Sequence, residues 1–369
     1  DLARVDDLDV GIGLDVPGCH FAFAGGVDHQ VDRAVRDVDL DNVTFLDQSD
    51  RSADRRLGAD VADAGTGADA GEAGVGQDRD RAMNSIAPVW DGNETWLVLG
   101  GGGLFAAFPL AYAVILPATY PLIIAMLLGL VFRGVAFEYR WRDPNHRAFW
   151  DAAFFGGSLV AAMAQGMTLG ALLQGIEVVD RSYAGSWFDW LTPYTLLCGL
   201  GVVAGYALLG STWLIWKLDG GAQKHARYLA FRAAIATIIL MGAVSLYNIF
   251  LNAEYAERWL TAPEIYFAAP VPILTAIVAL SMIHAITKAR NSKPFWLSSA
   301  LLFCGRAGRG FTVWRCVVPP GVTIWDAAAP EKSQIFMLVG VAITMPLIIG
   351  YTVWAYWVFR GKVSDEGYH

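Results

Sequence analysis

Charged residues and cysteine are scarce in this chain, and each scarcity argues against a class of protein. Asp, Glu, Lys and Arg make up 17% of the 369 residues, whereas hydrophobic residues make up 55%. The mean hydropathy of +0.41 exceeds what a soluble domain usually shows. The four cysteines have neither CxxC nor another metal-ligand spacing, so a disulfide scaffold and a cysteine-based metal site are not supported.

Patterns for several other chemistries are also missing. The glycines at 100–103 are not followed by Lys-Ser/Thr, so they do not form a phosphate-binding loop, and they more simply allow close helix packing. The six histidines show no metal-like or haem-like pairing. Only His284 lies inside an apolar run, where a structural histidine is favoured over a ligand. We expect no metal site and no nucleic-acid partner.

Charge divides the chain into two parts. Residues 1–82 contain 19 acidic and 8 basic residues, a formal charge of −11, whereas residues 83–369 contain 16 and 19, a charge of +3. All 14 Trp and 13 Tyr follow residue 82. Low aromatic content with high net charge predicts an acidic, low-complexity, disordered segment at 1–82. A mistranslated reading frame, with Met83 as a possible start, is the alternative interpretation of the same composition.

Beyond residue 82 the chain consists of apolar runs about as long as a membrane-spanning helix, roughly 20 residues. Backbone groups in lipid must pair internally, so runs of this length should be helical. The sequence predicts an all-α polytopic membrane protein with about eight transmembrane helices in bundles, a transmembrane domain at 83–362 and a cytoplasmic tail at 363–369. The expected runs are 94–118, 121–139, 150–175, 191–216, 228–251, 265–287, 294–318 and 334–359.

Lys and Arg concentrate in every second connection between these runs, while the other connections are mixed or acidic. Basic connections stay on the cytoplasmic side of a membrane. The pattern therefore predicts a multi-pass protein of the bacterial inner membrane with a cytoplasmic C-terminus. The connections expected in the cytoplasm are 140–149, 217–227, 288–293 and the C-terminal residues.

Polar residues at the start of the first run form one candidate site. Asp91 or Asn93 could simply cap the helix, because an acidic charge is favoured at a helix N-terminus. A role with protons or quinone is the other interpretation, since polar groups near lipid are costly and tend to be functional. The residues concerned are Trp90, Asp91, Gly92, Asn93, Glu94 and Trp96.

A second candidate group is Arg133, Glu138 and Arg140 at the end of the second run. Arg133 and Glu138 are five residues apart, so a same-face ion pair between them is not expected. Arg133 lies about two turns inside the run. It either extends its side chain to the membrane surface or pairs with a carboxylate of another helix, and Asp91 and Glu94 are the expected partners.

The third group lies in the segment 317–334, on the side predicted to be outside. Pro319 and Pro320 should end a helix, because proline lacks an N–H and blocks the preceding turn. A rigid re-entrant turn and a functional loop, which would include Trp325 and Asp326, are both compatible with this pattern.

Several phrases of the chain, in this order and spacing, resemble subunit II of the cytochrome bd-type terminal quinol oxidases, in particular the cyanide-insensitive branch. They extend from about residue 79 to residue 362. The phrases are SIAPVWDGNETWLVLG at 85–100, then LFAAFPLAYAVILPATY, LVFRGVAFEYR, DRSYAGSWFDWLTPY and VVPPGVTIWDAAAPEKSQ.

The resemblance implies a heterodimer in an aerobic respiratory membrane. Subunit I would carry haem b, haem d and the site for a ubiquinol-type quinol, while this chain would ligate no cofactor and support proton and oxygen access. Quinol would be oxidised at the outer face, and dioxygen would be reduced to water with cytoplasmic protons. A small extra subunit is a further possible partner, besides lipid and quinone. Asp91 would belong to a proton path facing subunit I, and Arg133 would pair with it or lie near a haem propionate.

Two departures from the family pattern are visible. Residues 1–78 supply no counterpart of the family's N-terminal spanning helix, and CGRAGRGFTVWRC at 304–316 is charged where the family is apolar. Arg306 and Arg309 would each cost about 2.5–3.5 kcal/mol at the centre of a membrane helix. A local frame error would explain both departures. A secondary transporter, which also uses charged residues within the membrane, is the alternative function.

Overall fold

Long apolar helices dominate the structure, a computed structural model that describes residues 69–363. Expectations about residues 1–68 and 364–369 lie outside the described residues. The helices are α1 Asp69–Ile86, α2 Gly92–Ala107, α3 Pro109–Arg142, α4 Arg147–Gln174, α5 Pro193–Lys217, α6 Gly220–Leu251, α7 Ala253–Leu260, α8 Ile265–Ala268, α9 Pro270–Thr287, α10 Lys293–Thr312, α11 Ile324–Ala327 and α12 Glu331–Val358. A short 3₁₀ turn, Pro144–His146, joins α3 to α4.

Two small antiparallel hairpins complete the described fold. One pairs β1 Val178–Val179 with β2 Ser182–Tyr183, and the other pairs β3 Cys316–Val318 with β4 Val322–Thr323. The second hairpin packs Val318 and Val322 against α3 in a buried cluster. The architecture is therefore all-α apart from these two short ribbons, which confirms the predicted fold class.

Within residues 69–363, six helical segments are long and apolar enough to cross a membrane. They are Pro109–Arg142, Pro144–Gln174, Pro193–Lys217, Gly220–Leu251, Ile265–Thr287 and Glu331–Val358. The expected runs 94–118 and 294–318 are the two that do not correspond to such a helix. The multi-pass character is confirmed, whereas the number of eight spans is not.

The break between the first two expected runs was predicted at the wrong place. Helix α3 continues through Pro117 and Pro121, and the chain breaks instead at Phe108, which has the non-helical dihedrals φ −133° and ψ 65°. The next residue, Pro109, disfavours a helical conformation at Phe108 but fits the first position of a new helix. The expected run 94–118 is consequently shared between the short helix α2 and the start of α3.

The expected run 294–318 also ends early. Helix α10 stops at Thr312, and the chain passes through Arg315 at φ +80° into strand β3. Pro319 and Pro320 therefore do not end a helix but form the turn between β3 and β4. The β-branched pair Val317-Val318 before the prolines favours the extended conformation that the structure shows.

Helix α1 crosses the boundary expected at residue 82. The structure is helical from Asp69, where the composition predicted disorder. The described part of this segment is stabilised by contacts with other helices, described below, which no local pattern reveals.

Small residues let the central helices approach closely. A Cβ added at Gly157 on α4 would lie 2.5 Å from the carbonyl oxygen of Gly129 on α3. A Cβ added at Gly166 would lie 2.6 Å from the Cα of Gly199 on α5. Both distances are shorter than real Cβ contacts, so glycine at these positions sets the spacing of α3, α4 and α5. Close contact through small residues is the usual way in which helices associate in membranes.

Hydrogen bonds gather three of the basic connections at one end of the bundle. Lys217 at the end of α5 donates to the carbonyl oxygen of Gly361 at 3.2 Å. Arg227 on α6 donates to the carbonyl oxygen of Arg290 at 2.9 Å. The regions predicted to be cytoplasmic therefore lie together, as a common side of the membrane requires.

The acidic and mixed connections meet at the opposite end. The backbone N–H of Ile176 after α4 donates to the carbonyl oxygen of Pro319 at 3.0 Å, and that of Ala329 donates to Ala107 at 2.9 Å. Tyr255 on α7 is buried and donates to the carbonyl oxygen of Leu173 at 3.1 Å. These bonds fix the hairpin β3–β4 and helix α7 onto the ends of the long helices.

Substitution of Gly157 tests the close contact between α3 and α4. We expect Gly157→Ala to destabilise the protein by about 1–3 kcal/mol, because the new methyl group would force the two backbones apart. The matched control is Gly156→Ala, whose Cβ would meet nothing within 4 Å. The thermal midpoint of the purified membrane complex should fall only for Gly157→Ala. Equal midpoints for the two variants would contradict the proposed spacing.

Candidate functional site

The start of helix α2 carries the first predicted group, and its aromatic member anchors it. Trp90 stacks on Phe137 of α3, with ring centroids 4.9 Å apart and an interplanar angle of 26°. The indole also lies over Gly134, where an added Cβ would meet the ring at 3.5 Å. Trp90 is therefore a packing residue that fixes the entry to α2 against the last third of α3.

Asp91 occupies the N-cap position of α2, but its side chain makes no capping hydrogen bond. Its carbonyl oxygen accepts hydrogen bonds from the backbone N–H groups of Glu94 and Thr95 at 3.0 and 3.1 Å. The carboxylate is exposed, as is the ring of Trp96, and Gly92 is half-buried. The side chain of Asn93 lies outside the described part of the structure. Of the two residues considered as caps, Asp91 occupies the N-cap position, but its side chain does not form the expected capping bond.

Arg133 pairs with a carboxylate of another helix, as one of the two interpretations predicted. Its Nη2 donates to Oε1 of Glu94 at 2.8 Å, and the two side chains are 21% and 30% exposed. The partner is therefore Glu94 and not Asp91. Glu138 lies exposed on α3 and does not contact Arg133. The pair joins the first turn of α2 to the C-terminal third of α3.

Arg140 is the most deeply buried charged residue of the described chain, with 2% of its surface exposed. Its Nε donates to Asp151 Oδ1 at 2.5 Å and its Nη1 donates to Asp80 Oδ1 at 2.7 Å. Arg79 lies 3.3 Å from Asp151, and Arg147 lies 3.8 Å from Asp80. This ion cluster, Asp80, Arg140 and Asp151 with the two flanking arginines, joins α1, α3 and α4.

The sequence did not indicate the two acidic members of this cluster. Asp80 lies in the segment predicted to be disordered, and Asp151 follows a basic connection that had been interpreted only as a topology signal. The alternation of charge in QDRDR at 77–81 was the available indication, because a helix with mixed charges often pairs with its neighbours. Arg140 itself was selected, but without these partners.

A second ion pair attaches α1 to the other half of the bundle. Arg81 Nη2 lies 2.6 Å from Oδ1 of Asp219, the residue before α6. The hydrogen bond from Arg81 holds the pKa of the Asp219 carboxyl below its ordinary value. Through these ion pairs α1 connects the C-terminal end of α3 with the N-terminal ends of α4 and α6.

The segment 317–334 is held by its own hydrogen bonds. Thr323 and Asp326 form a capping box at the start of α11, in which the hydroxyl of Thr323 donates to Asp326 Oδ2 at 2.5 Å. This hydrogen bond lowers the pKa of the Asp326 carboxyl. Pro319 is buried, Pro320 is exposed, and Trp325 is 71% exposed. The geometry supports the rigid-turn interpretation for the backbone and leaves Trp325 projecting from it.

The positions of the histidines indicate whether histidine side chains of this chain could ligate a haem iron. His146 lies 2.9 Å from Asp143 in the connection between α3 and α4, and His284 is exposed on α9. Across the described residues no group of three or more His, Cys, Asp or Glu could hold a metal ion. The two main cavities of the bundle contain no histidine among their lining residues. The described residues therefore do not fit histidine ligation of a haem within these cavities.

A comparison with known families identifies the chain. The sequence model for cytochrome bd terminal oxidase subunit II matches residues 59–359. The chain belongs to this family. The match begins before residue 79, where the resemblance was first recognised, and it runs through the charged patch at 304–316.

Individual relatives agree. The chain is 32% identical over 325 residues to cytochrome bd-I ubiquinol oxidase subunit 2 of Escherichia coli (strain K12), covering 77% of this chain and 84% of that protein. It is 27% identical over 298 residues to cytochrome bd ubiquinol oxidase subunit 2 of Bacillus subtilis (strain 168), covering 77% and 85%. Among solved structures, the bd oxidase from Geobacillus thermodenitrificans has the same fold, with a TM-score of 0.61 at 16% identity, covering 76% of this chain and 86% of that one.

The protein is thus a multi-pass membrane subunit of a cytochrome bd ubiquinol oxidase, an oxidoreductase complex of the respiratory chain. Membership as subunit II implies a partner subunit I. The family match favours this function over the alternative of a secondary transporter.

Replacement of Arg140 tests the ion cluster. We expect Arg140→Gln to lower the free energy of unfolding by about 1–3 kcal/mol, because Asp80 and Asp151 would lose their shared guanidinium. Arg142→Gln is the matched control, since Arg142 is an exposed arginine on the same helix. The purified complex is heated, and the loss of its assembled form is monitored on a size-exclusion column. The difference in unfolding midpoint between the two variants measures the contribution of the cluster. A midpoint for Arg140→Gln equal to that of the control would show that the cluster contributes no stability.

Proposed function

We propose that this chain is the accessory subunit of the oxidase that ligates no haem, supports the haem-bearing subunit I and helps protons and dioxygen to reach it. Haem b, haem d and the quinol site belong to subunit I in this proposal. The positions of the described histidines support the division of labour, because none of them lines either of the two cavities described above. When bound in the partner subunit, the haems supply the redox chemistry of the complex.

The proposed role of Asp91 in proton transfer is supported by its exposed carboxylate, which lies close in sequence to the ion pair of Glu94 with Arg133. Glu94 takes the guanidinium of Arg133 at 2.8 Å. Asp91 is left without a capping bond, only three residues away in sequence. The carboxylate of Glu94 is thus engaged within the chain, whereas that of Asp91 is exposed and has no capping bond. We assign the proton to a side-chain oxygen of Asp91 and a structural role to Glu94 and Arg133.

Position along the helix supports the same assignment. Asp91 lies at the N-terminal end of α2, directly before its first turn. Its exposure in the isolated chain fits a surface that subunit I covers in the complex. Glu138, exposed on α3, is the other acidic residue of the predicted groups at this end and is placed on the same path. Arg140 is assigned to the fold, because both of its carboxylate partners belong to this chain.

The opposite end of the chain offers a rigid surface for subunit I. The β3–β4 hairpin is anchored in the buried cluster through Val318 and Val322. Trp325 projects from it, and large exposed aromatic side chains are typical anchors of protein interfaces. We place the hairpin at the outer face, near the side where quinol is oxidised. The exposed apolar faces of the long helices are left for lipid, quinone, subunit I and any small extra subunit.

We also propose the bacterial inner membrane as the location, with the C-terminus in the cytoplasm. The basic connections at 217–227 and 288–293 lie at the same end of the bundle as residues 359–363. Lys217 donates to the carbonyl oxygen of Gly361, and Arg227 donates to that of Arg290. Lys and Arg near helix ends mark the cytoplasmic side.

Substitution of Asp91 in the assembled complex tests the proton role. We expect Asp91→Asn to lower quinol-driven oxygen uptake by about 10²-fold, because an amide cannot accept and release the proton. The haem absorbance of the purified complex should remain unchanged. Asp180→Asn is the matched control, since Asp180 is an exposed acid on the β1–β2 turn at the other end of the molecule.

Glu94→Gln separates the proton role from a structural one. This variant breaks the ion pair with Arg133, so it should reduce the thermal stability and the haem content of the complex while leaving Asp91 in place. Normal oxygen uptake and normal haem content in Asp91→Asn would refute the proton assignment and leave a purely structural subunit. A complex that carries no haem d absorbance and no larger partner would refute the accessory-subunit proposal as a whole.

A further inference from the structure

Two arginines of helix α10 have no partner in the described chain. Arg306 and Arg309 are three residues apart and therefore lie on one face of the helix. Arg133, Arg140 and Arg227 each donate to a carboxylate or a carbonyl oxygen, but within residues 69–363 neither Arg306 nor Arg309 makes an ion pair or a hydrogen bond. Their like charges repel each other, so the pair destabilises the helix unless an anion lies between them.

Both side chains line a small cavity of about 140 Å³ between α4, α5, α6 and α10; Arg309 is half-buried there, and Arg306 is also exposed at the surface of the chain. Its polar lining consists of the two arginines with Gln165, Tyr206 and Thr237. The hydroxyl of Tyr206 donates to Gln165 Oε1 at 2.8 Å, which turns the amide oxygen away from any guest and leaves the amide nitrogen as a donor. The Thr237 hydroxyl donates to the carbonyl oxygen of Ala233. Donors thus predominate, and no described carboxylate lines this cavity.

A larger cavity of about 500 Å³ adjoins it. Met241, Val244 and Arg309 line both cavities, so Arg309 stands where the two meet. The larger cavity is otherwise mainly apolar, and its volume is in the range of small-molecule sites in proteins. Its apolar walls are contributed by α6, α9 and α10, including Ile238, Val271, Ala279 and Leu301.

We propose that this paired cavity binds an amphiphile with an anionic headgroup, the headgroup lying between Arg306 and Arg309 and the acyl chain filling the apolar cavity. Guanidinium groups match the oxygens of carboxylates and phosphates with two parallel hydrogen bonds. An arginine without a counter-charge beside apolar walls is costly, and an anion held by both arginines offsets that cost. A neutral lipid would fill the apolar part but leave both charges unpaired. A free inorganic anion would leave the larger cavity without an occupant.

The membrane supplies two sources of this chemistry, fatty acids and anionic phospholipids, and photochemical labelling distinguishes them. The complete oxidase complex is incubated with diazirine-bearing palmitic acid, phosphatidylglycerol or phosphatidylcholine, irradiated, digested and analysed by mass spectrometry. We expect one or both anionic probes to label the cavity segments 238–249 of α6 and 271–279 of α9. The anionic probe that labels them identifies the source. Phosphatidylcholine should not label them.

Charge removal should abolish this labelling selectively. Arg306→Gln with Arg309→Gln should reduce labelling of the cavity segments by about tenfold or more, as expected for the loss of charge-assisted hydrogen bonds. Arg306→Lys with Arg309→Lys keeps both charges and should retain most of the labelling. Arg181→Gln, which removes the same charge from the exposed β1–β2 turn, should change nothing.

Competition in the unmodified complex provides a second measurement that does not depend on how well a variant folds. Excess unlabelled fatty acid or phosphatidylglycerol should displace the corresponding anionic probe, and excess phosphatidylcholine should not. Equal labelling by phosphatidylcholine, unchanged labelling in the double glutamine variant, or no labelling of these segments by either anionic probe would each overturn the proposal. In those cases the arginines reach the membrane surface or pair with the partner subunit.

Discussion

A charge in an apolar medium must find its counter-charge within the protein, and the described fold is organised around that constraint. Water cannot solvate Arg140, which is almost completely buried. Its guanidinium instead draws Asp80 of α1 and Asp151 of α4 onto the end of α3. Arg133 likewise draws the first turn of α2 onto the same helix through Glu94. Two arginines of one helix thereby determine where three other helices attach. Breaking a buried pair costs far more than a surface pair contributes, so these contacts restrict the arrangement even where they add little net stability.

Features that depend on local composition were predictable from the sequence. Run length, loop charge and the cap of α5, where Thr192 and Thr195 form a capping box behind Pro193, all follow from neighbouring residues. The breaks were less predictable, because proline acts differently at different positions. Pro109 ends one helix and begins the next, whereas Pro117 and Pro121 lie within α3. Surrounding helices can compensate for a proline inside a membrane helix, and that compensation cannot be read from the residues beside it.

The candidate site shows the same division. Depth in the membrane left two interpretations for Arg133, extension to the membrane surface or pairing with a carboxylate of another helix. The choice between Asp91 and Glu94 required the rotation of α2, which Trp90 fixes by stacking on Phe137. The partners of Arg140 were missed for a different reason. Composition placed Asp80 in a disordered segment, yet the contacts with Arg140 and Asp219 order the end of α1 from outside. The composition of this segment is typical of disorder, but its tertiary contacts stabilise a helix there.

Arg306 and Arg309 can be understood by contrast with these pairs. The chain places acids opposite Arg133, Arg140 and Arg81, so the absence of a described acid opposite two adjacent arginines is not a general feature of its construction. A charge without a counter-charge beside apolar walls lowers stability. In our proposal the compensating charge comes from another molecule. The position of Arg309 between a polar and an apolar cavity favours a molecule that is charged at one end and apolar along the rest, which is the chemistry of membrane lipids.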